Sequence, residues 1–445
     1  MTLEERLNEQ PYQGYAYAYP HKMAYRKLEP EIPLEPLWAR EDREALFLYV
    51  HIPFCEVRCG FCNLFTTTNA NSGYVEAYLE ALGRQMKTVG ELLGAHRFAR
   101  AAFGGGTPTF LSEQELERLF ALVDTHLSGP KVGASVSFEM SPATVTPEKL
   151  RLLIERRVTR ASIGVQSFVD GEVRAIGRPQ DPREVTLALD RIRGAGFRVF
   201  NLDLIYGAAN QTPASWRYSL EQAFRYRPEE IYLYPLYVRP LTGLDRLHRE
   251  PSDLRLQLYR EGREFLLANG YRQISMRLFR RAGTQTELSE GPIYCCQEDG
   301  MLGFGAGARS YTQSLHYSSE YAVGRDGVRG IIEEFNGRTA AQFASADYGC
   351  FLDREEQQRR YVIKSLLRCD GLDLDVYRER FQTEALTDFP CLKDLKELGL
   401  AVLTEGEEVG KKLILTEAGL ERSDTIGPWL FSAEMQSRME DFDLV

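Results

Sequence analysis

The chain has 445 residues, 43% of them hydrophobic and 27% charged, with a formal net charge of −10. That length exceeds what one small core can organise, so a large catalytic domain with one or two appendages is expected. The acidic balance argues against a nucleic-acid binder, which needs basic surface to displace phosphate counterions. With no run of 18 apolar residues and no basic-then-apolar start, membrane spans and signal peptides are not expected either.

In chain order, "PYQGYAYAYPHKMAYRKLEP" (11–30) comes first, with five tyrosines and few aliphatics. It reads either as a strap laying its rings on the main domain or as a lid over a site. From Leu46 to Tyr237 short apolar runs alternate with amphipathic segments. The runs are 46–52, 100–105, 134–140, 160–166, 198–207 and 230–238, and helical patterns at 74–93, 113–127 and 184–196 lie between them. Alternating strands and helices imply βα units and a parallel sheet, curled into a barrel or part-barrel or left doubly wound. The polar and glycine signals fall where these runs end: Cys55, Gly104–Gly106, Glu139, Gln166 and Asp203. The carboxyl ends of parallel strands are where such folds build a site.

Beyond Phe304 the pattern changes. Residues 354–374 read as an amphipathic helix, and 395–424 as helix, turn, hairpin and closing segment, a winged-helix-like order. Given the acidic balance, the expectation for this part is a structural or substrate-capping role. The domain plan is therefore a tyrosine-rich strap or lid over 1–44, a main domain with an extension over 45–315, and a helical, winged-helix-like domain over 316–445.

Three of the eight cysteines, Cys55, Cys59 and Cys62, crowd into "HIPFCEVRCGFCNLF" (51–65). A cytoplasmic location is expected, and there clustered thiols point to metal or catalysis rather than to disulfides. Structural zinc wants four closed ligands, and no fourth Cys or His follows within twenty residues. His51, upstream at a strand end, reads as a structural partner of the loop. An iron–sulfur cubane fits better, since three thiolates leave one iron open for substrate. Pro53, Phe54, Phe61 and Phe65 would give that centre an apolar surround. The glycines of "FGGGTPTFL" (103–111) do not match a phosphate loop, having neither GxxxxGK[ST] nor GxGxxG.

This cysteine loop resembles the cluster motif of the radical S-adenosylmethionine (SAM) enzymes. "YVHIPFC", "FGGGTPTFL", "SIGVQSF" (162–168) and "DLIYG" (203–207) are similar to the oxygen-independent coproporphyrinogen III oxidase-like branch. The resemblance covers 46–311 well and the C-terminal domain loosely. It implies a partial (β/α)6 barrel of the radical SAM type, and a 4Fe–4S cluster on Cys55, Cys59 and Cys62 whose open iron chelates SAM. It further implies that Gly104, Gly105, Gly106, Thr107 and Glu139 meet the methionine amino group. Gln166 and Asp203 would hold the ribose hydroxyls, Arg178 the methionine carboxylate, and Phe61 would lie against the cofactor. Tyr49 would lie near the sulfonium, giving a catalytic pair with Glu139. The chemistry implied is reductive cleavage to a 5′-deoxyadenosyl radical that abstracts hydrogen from a small-molecule substrate, with flavodoxin or ferredoxin as electron donor and neither nucleic acid nor membrane as partner.

The haem-pathway oxidases of this branch carry a fourth cysteine where this chain has Leu64, which argues against oxidative decarboxylation. C-methylation or cyclisation therefore ranks slightly ahead, making the enzyme a methyltransferase or an oxidoreductase. A second SAM would sit at "GFGAGARS" (303–310). Adjacent Cys295 and Cys296 read as an ordinary pair, or as a radical-quenching thiol. A non-catalytic haem-binding chaperone is the alternative from another class, with His21 and His316 as its accessible candidates among six histidines.

Overall fold

The computed structural model describes residues 1–9, 11–16, 18–130, 133–285, 295–297, 300–404 and 410–444. After an edge strand β1 (Arg26–Pro33), the six expected runs form β2 (Leu46–Ile52), β3 (Phe98–Gly105), β4 (Ser135–Met140), β5 (Arg160–Gln166), β6 (Val199–Tyr206) and β7 (Glu230–Pro235). All six are parallel, and each pairs with the next in chain order.

The helices between them start where local chemistry supplies an acceptor for their first free amides. Asn71 caps Ser72–Leu93, Ser112 and Glu115 form a reciprocal box on Glu113–Leu127, and Thr146, Asp181 and Thr212 cap the three longer helices that follow β4, β5 and β6. Each such cap is worth about 1 kcal/mol. Ser72–Leu93 buries Val75, Leu79, Leu82, Met86, Val89 and Leu93, the one-face spacing of a helix laid on a sheet.

Strand alternation decides what faces inward. In β2 Leu46, Leu48 and Val50 are buried under the helices, while Phe47 and Tyr49 alternate with them and keep accessible surface. In β4 Val136, Phe138 and Met140 are buried, and Ser137 and Glu139 face the other way. The inward set lines a lumen at the carboxyl ends of the strands.

Among the described residues the curl does not close. Past β7 lie antiparallel β9 (Leu278–Arg281) and β8 (Tyr271–Gln273). On the other flank β10 (Met301–Phe304) runs parallel to β2 and is followed by β11 (Arg309–Tyr311), β12 (Leu315–Ser318), β13 (Ser345–Phe351) and β1. One 13-stranded sheet therefore draws on all three expected segments. The strap expectation is corrected for its second half, because Arg26–Pro33 is an edge strand paired with β13 across an irregular register. Pro30 and Pro33 cannot donate to a ladder, which is tolerable only at such an edge.

A second core forms behind β13. The helix Arg354–Leu366 packs on a small sheet of β14 (Leu372–Asp373), β16 (Lys412–Leu415) and β15 (Ala401–Thr404), in that order. Tyr19 and Tyr25 are buried in this core rather than on the barrel. Among the described residues no helix is long and apolar enough to cross a membrane.

Candidate functional site

The cysteine loop leaves β2 and is clamped at several points. A two-residue parallel ladder joins Phe54–Cys55 to Thr67–Thr68, and the Cys62 amide donates to Cys59 O at 3.1 Å. Gly60 is held from two sides: its amide donates to Gly177 O at 3.0 Å, and its carbonyl accepts from the Leu244 amide at 2.8 Å. A Cβ on Gly60 would stand 2.8 Å from Ile176 O, so only glycine fits that slot.

All three thiols keep partial exposure. Burial pushes the Cys55 thiol up to about 12 and raises Cys62 as well, so a metal would supply the drive to deprotonate them. Thr107 Oγ1 donates to Cys55 Sγ at 3.6 Å, and Arg178 Nη1 donates to Cys59 Sγ at 3.2 Å. Three thiolates with no fourth Cys or His beside them in the loop suit a cubane, which leaves one iron open, better than a closed four-ligand zinc site.

Beside it, the end of β3 brings bare backbone up to the thiols. A Cβ on Gly106 would lie 2.6 Å from Phe54 O and 3.0 Å from Cys55 Sγ. Gly105 has φ +109°, and a Cβ there would meet the His51 ring at 2.5 Å. Gly104 faces the Glu139 carboxylate, and the Gly105 amide donates to Glu139 Oε2 at 3.2 Å. Glu139 is strongly desolvated yet exposed, which places its carboxylate in the lumen rather than on the outer surface. Burial, then repulsion from Asp203, raises it to about 7.

Asp203, on β6, is raised to about 6 by burial against the pull of an Asn201 Nδ2 hydrogen bond at 2.7 Å. Gln166 ends β5 at φ +71° beside a register shift with β6, and its amide folds back over Gly164. Arg178 Nη2 donates to Gly164 O at 2.6 Å and Nε to Gln180 Oε1 at 3.1 Å, so the guanidinium ties the β5 end to Cys59. Cys59, Arg178, Gly164 and Gln166 thus form one contiguous wall.

His51 is buried, with Nε2 2.9 Å from Phe65 O; that contact makes Nε2 the donor, so Nδ1 accepts from Tyr49 Oη at 3.2 Å. Burial lowers its pKa to about 4. It positions Tyr49 and ties the loop's far end, the structural role its sequence place suggests. Phe61 packs toward the small apolar cluster of Ile176, Ile205, Ala208, Leu236 and Leu244 on the loop's flank.

One expectation needs revision. His316 is not accessible: it is 1% exposed on β12, its ring tilted against that of Tyr311 with centroids 4.3 Å apart. The 303–310 loop, where a second SAM is expected, packs against the cysteine loop: a Cβ on Gly305 would meet His51 O at 2.7 Å and one on Gly307 the Phe65 ring at 2.5 Å. Both Cys295 and Cys296 donate weakly to Gln297 Oε1, and Tyr294, Glu298 and Asp299 around them lie outside the described residues, as does Tyr17 of the strap.

Sequence reasoning missed the opposite wall. Tyr232 and Tyr234 stack at 5.6 Å on β7. Arg277 grips Asp424 of the C-terminal segment at 2.6 and 2.8 Å, Tyr237 Oη donates to the same carboxylate, and the Tyr15 ring lies 3.8 Å from that guanidinium. The only signal for Asn201 was its place two residues before Asp203 on one strand face.

The sequence profile of the Radical SAM superfamily matches residues 49–223. The chain is 32% identical over 360 residues to the heme chaperone HemW of Bacillus subtilis, covering 79% of this chain and 91% of that protein. It is 27% identical over 422 residues to the oxygen-independent coproporphyrinogen III oxidase of Escherichia coli, covering 89% and 90%. The solved structure of coproporphyrinogen III oxidase (HemN) from Escherichia coli superposes with a TM-score of 0.76 at 24% identity, over 95% of this chain and 100% of that one, which shows a common fold.

Proposed function

This chain belongs to the radical SAM superfamily, in the family of oxygen-independent coproporphyrinogen III oxidases and heme chaperones, and we propose that it is a catalytic member acting on an organic small molecule. Cys55, Cys59 and Cys62 would hold a 4Fe–4S cluster, and Gly104–Thr107, Glu139, Gln166, Arg178 and Asp203 would hold SAM. Bound there, the pair supplies reductive cleavage of SAM and hydrogen abstraction from the substrate. The observation that carries this reading is the lumen itself, where three half-buried thiols, a bare glycine edge and two protonation-poised carboxylates face one space.

The chain's own residues account for the rest. The glycine edge lets a ligand amino group reach backbone and the Glu139 carboxylate together. Arg178 donates to the Cys59 sulfur and to Gly164 O, which fixes that thiol against the end of β5. The desolvated walls keep water from a reactive intermediate. An external one-electron donor is required, and a flavodoxin or ferredoxin fits that need.

As to the reaction, the relatives named above lend no support to C-methylation or cyclisation, so oxidative hydrogen abstraction moves ahead of them. Leu64, 48% exposed where the haem-making relatives carry cysteine, keeps coproporphyrinogen itself behind other substrates. The likeness to a heme chaperone favours a second reading, haem binding without turnover.

One anaerobic experiment separates these. The reconstituted chain is incubated with SAM and dithionite, and products are resolved by chromatography. We expect 5′-deoxyadenosine without S-adenosylhomocysteine. Both products together would restore methyl transfer, and neither, with stoichiometric haem binding, would establish the chaperone.

A further inference from the structure

The stretch between β12 and the helix Arg325–Gly337 grips the cysteine loop at two points. Tyr321 Oη donates to the Asn63 carbonyl at 2.9 Å, and Asn63 directly follows Cys62. Arg58 Nη2, from between Cys55 and Cys59, donates to the Val323 carbonyl. The two bonds run in opposite directions and bracket Cys59 and Cys62. Tyr321, Ala322 and Val323 are all buried, so the grip is itself covered.

The cover comes from both ends of the chain. Lys22 Nζ stands 3.4 Å from the centre of the Tyr321 ring, and the Phe442 ring lies 6.1 Å from it, tilted by 33°. These two neighbours are held very differently. Lys22 opens a 3-10 turn, and Tyr19 and Tyr25 on either side of it are buried in the C-terminal core. Arg26 donates to the carbonyls of Met23 and Tyr25, each at 2.8 Å, and to that of Arg438, which joins the turn to the last helix, Ala433–Glu440. That helix is seated through Met435, which is 1% exposed. Phe442 lies beyond its end, between exposed Asp441 and Asp443, where it meets the Tyr321 ring and the Arg26 guanidinium, the latter at 6.0 Å. Single ring–ring and ring–cation contacts of that kind are among the weaker ones a fold makes.

We propose that Tyr321 is a positioning residue for the cysteine loop, and that the tail from Asp441 onward is a closure over it, hinged at the end of the last helix. With the tail down, Phe442 keeps the Tyr321 ring in place, and the phenol fixes the Asn63 carbonyl and with it Cys62. With the tail lifted, Tyr321 keeps Lys22 but loses Phe442, so the loop loosens and its thiols open to small molecules. Local opening of this kind starts where few contacts hold a segment, which here is the tail and not the turn. The closure rests on these contacts alone; that it shields a 4Fe–4S cluster rests on the radical reading above.

The test is alkylation of the metal-free full chain by iodoacetamide under anaerobic, reducing conditions, with each cysteine followed by mass spectrometry. A chain stopped after Glu440 should alkylate Cys62 about 10-fold faster than the parent, and Phe442→Leu about 3-fold faster. Tyr321→Phe, which keeps the ring but cannot donate to Asn63, should also speed Cys62, whereas Phe442→Tyr should match the parent. Cys369 and Cys391, packed against the C-terminal core, should keep their parent rates in every variant and report whether that core has loosened. The proposal falls if the shortened chain alkylates Cys62 at the parent rate, if Cys369 and Cys391 accelerate as much as Cys62, or if Tyr321→Phe behaves like the parent. In iron-loaded chains the shortened form should lose its cluster absorbance in air about 10-fold faster, and equal rates would sink the shielding role. A chain that takes up no iron yet shows the thiol effect would leave the closure standing alone. One that forms 5′-deoxyadenosine without the thiol effect would leave only the radical reading.

Discussion

The two walls of the lumen are built in opposite ways. The cysteine wall uses short side chains and bare backbone from consecutive strands: Cys55 after β2, Gly104–Gly106 at the end of β3, Glu139 on β4 and Gln166 on β5. The facing wall uses long cations and rings from residues far apart in the chain, with Tyr15, Arg277 and Asp424 meeting at one point. The first holds reacting groups in place and contributes little packing; the second closes the domain and joins its termini to the barrel. Damage to one should therefore read out as lost chemistry, and damage to the other as lost stability.

The largest expected effect is on the cysteine wall. Cys59→Ala should strip the chain of its iron and lower 5′-deoxyadenosine formation by about 10³-fold or more. Its thiol is only half-buried, so the unfolding free energy should move by no more than about 1 kcal/mol. Iron analysis and urea unfolding of the metal-free chain check the two halves, and a Cys59→Ala protein that kept four irons would break the ligand assignment. On the other wall, Asp424→Ala leaves the buried Arg277 guanidinium unpaired, both side chains being 3% exposed or less. That should cost roughly 3–5 kcal/mol of unfolding free energy, while the folded fraction still loads iron. Replacing both residues by leucine should recover much of the loss.

A finer contrast compares two glycines. Gly106→Ala drives a Cβ against the fixed Phe54 carbonyl and the Cys55 sulfur, so it should cost about 1–3 kcal/mol and lower iron loading. Gly194, in the helix Pro182–Ala195, has nothing within 4 Å of where a Cβ would go. Gly194→Ala should stabilise by about 0.5–1 kcal/mol and leave iron loading as it was, measured by the same two assays.

The same contrast explains what could be read beforehand. The six parallel strands and their polar ends were legible because strand period, strand order and site order coincide in a βα repeat, so Cys55, Glu139 and Asp203 announce themselves one after another. His51 could be assigned a structural role from its place alone. The facing wall carries no local pattern. Arg277 and Asp424 are 147 positions apart, and nothing near either marks the other. His316 looked accessible because isolated histidines usually are, yet β12 lies inside the sheet that the N-terminal edge strand completes.

The smallest expected effect is a pH dependence confined to the cysteine wall. Burial and repulsion from Asp203 hold Glu139 near 7 and burial holds Asp203 near 6, both above their ordinary carboxylate range. Folding the SAM-free chain therefore takes up protons at these sites, and their contribution to stability falls as pH rises from about 4 to about 7. A ligand ammonium beside Glu139 reverses the preference, because it favours the carboxylate and expels the proton. SAM affinity should then tighten about 8-fold between pH 6 and pH 7.5, the change for one proton leaving a group near 7. Equilibrium binding to the reconstituted chain measures it, and Glu139→Gln should flatten the profile. A slope that survived Glu139→Gln but vanished when Arg277 and Asp424 were both replaced by leucine would mean that the two walls are coupled after all.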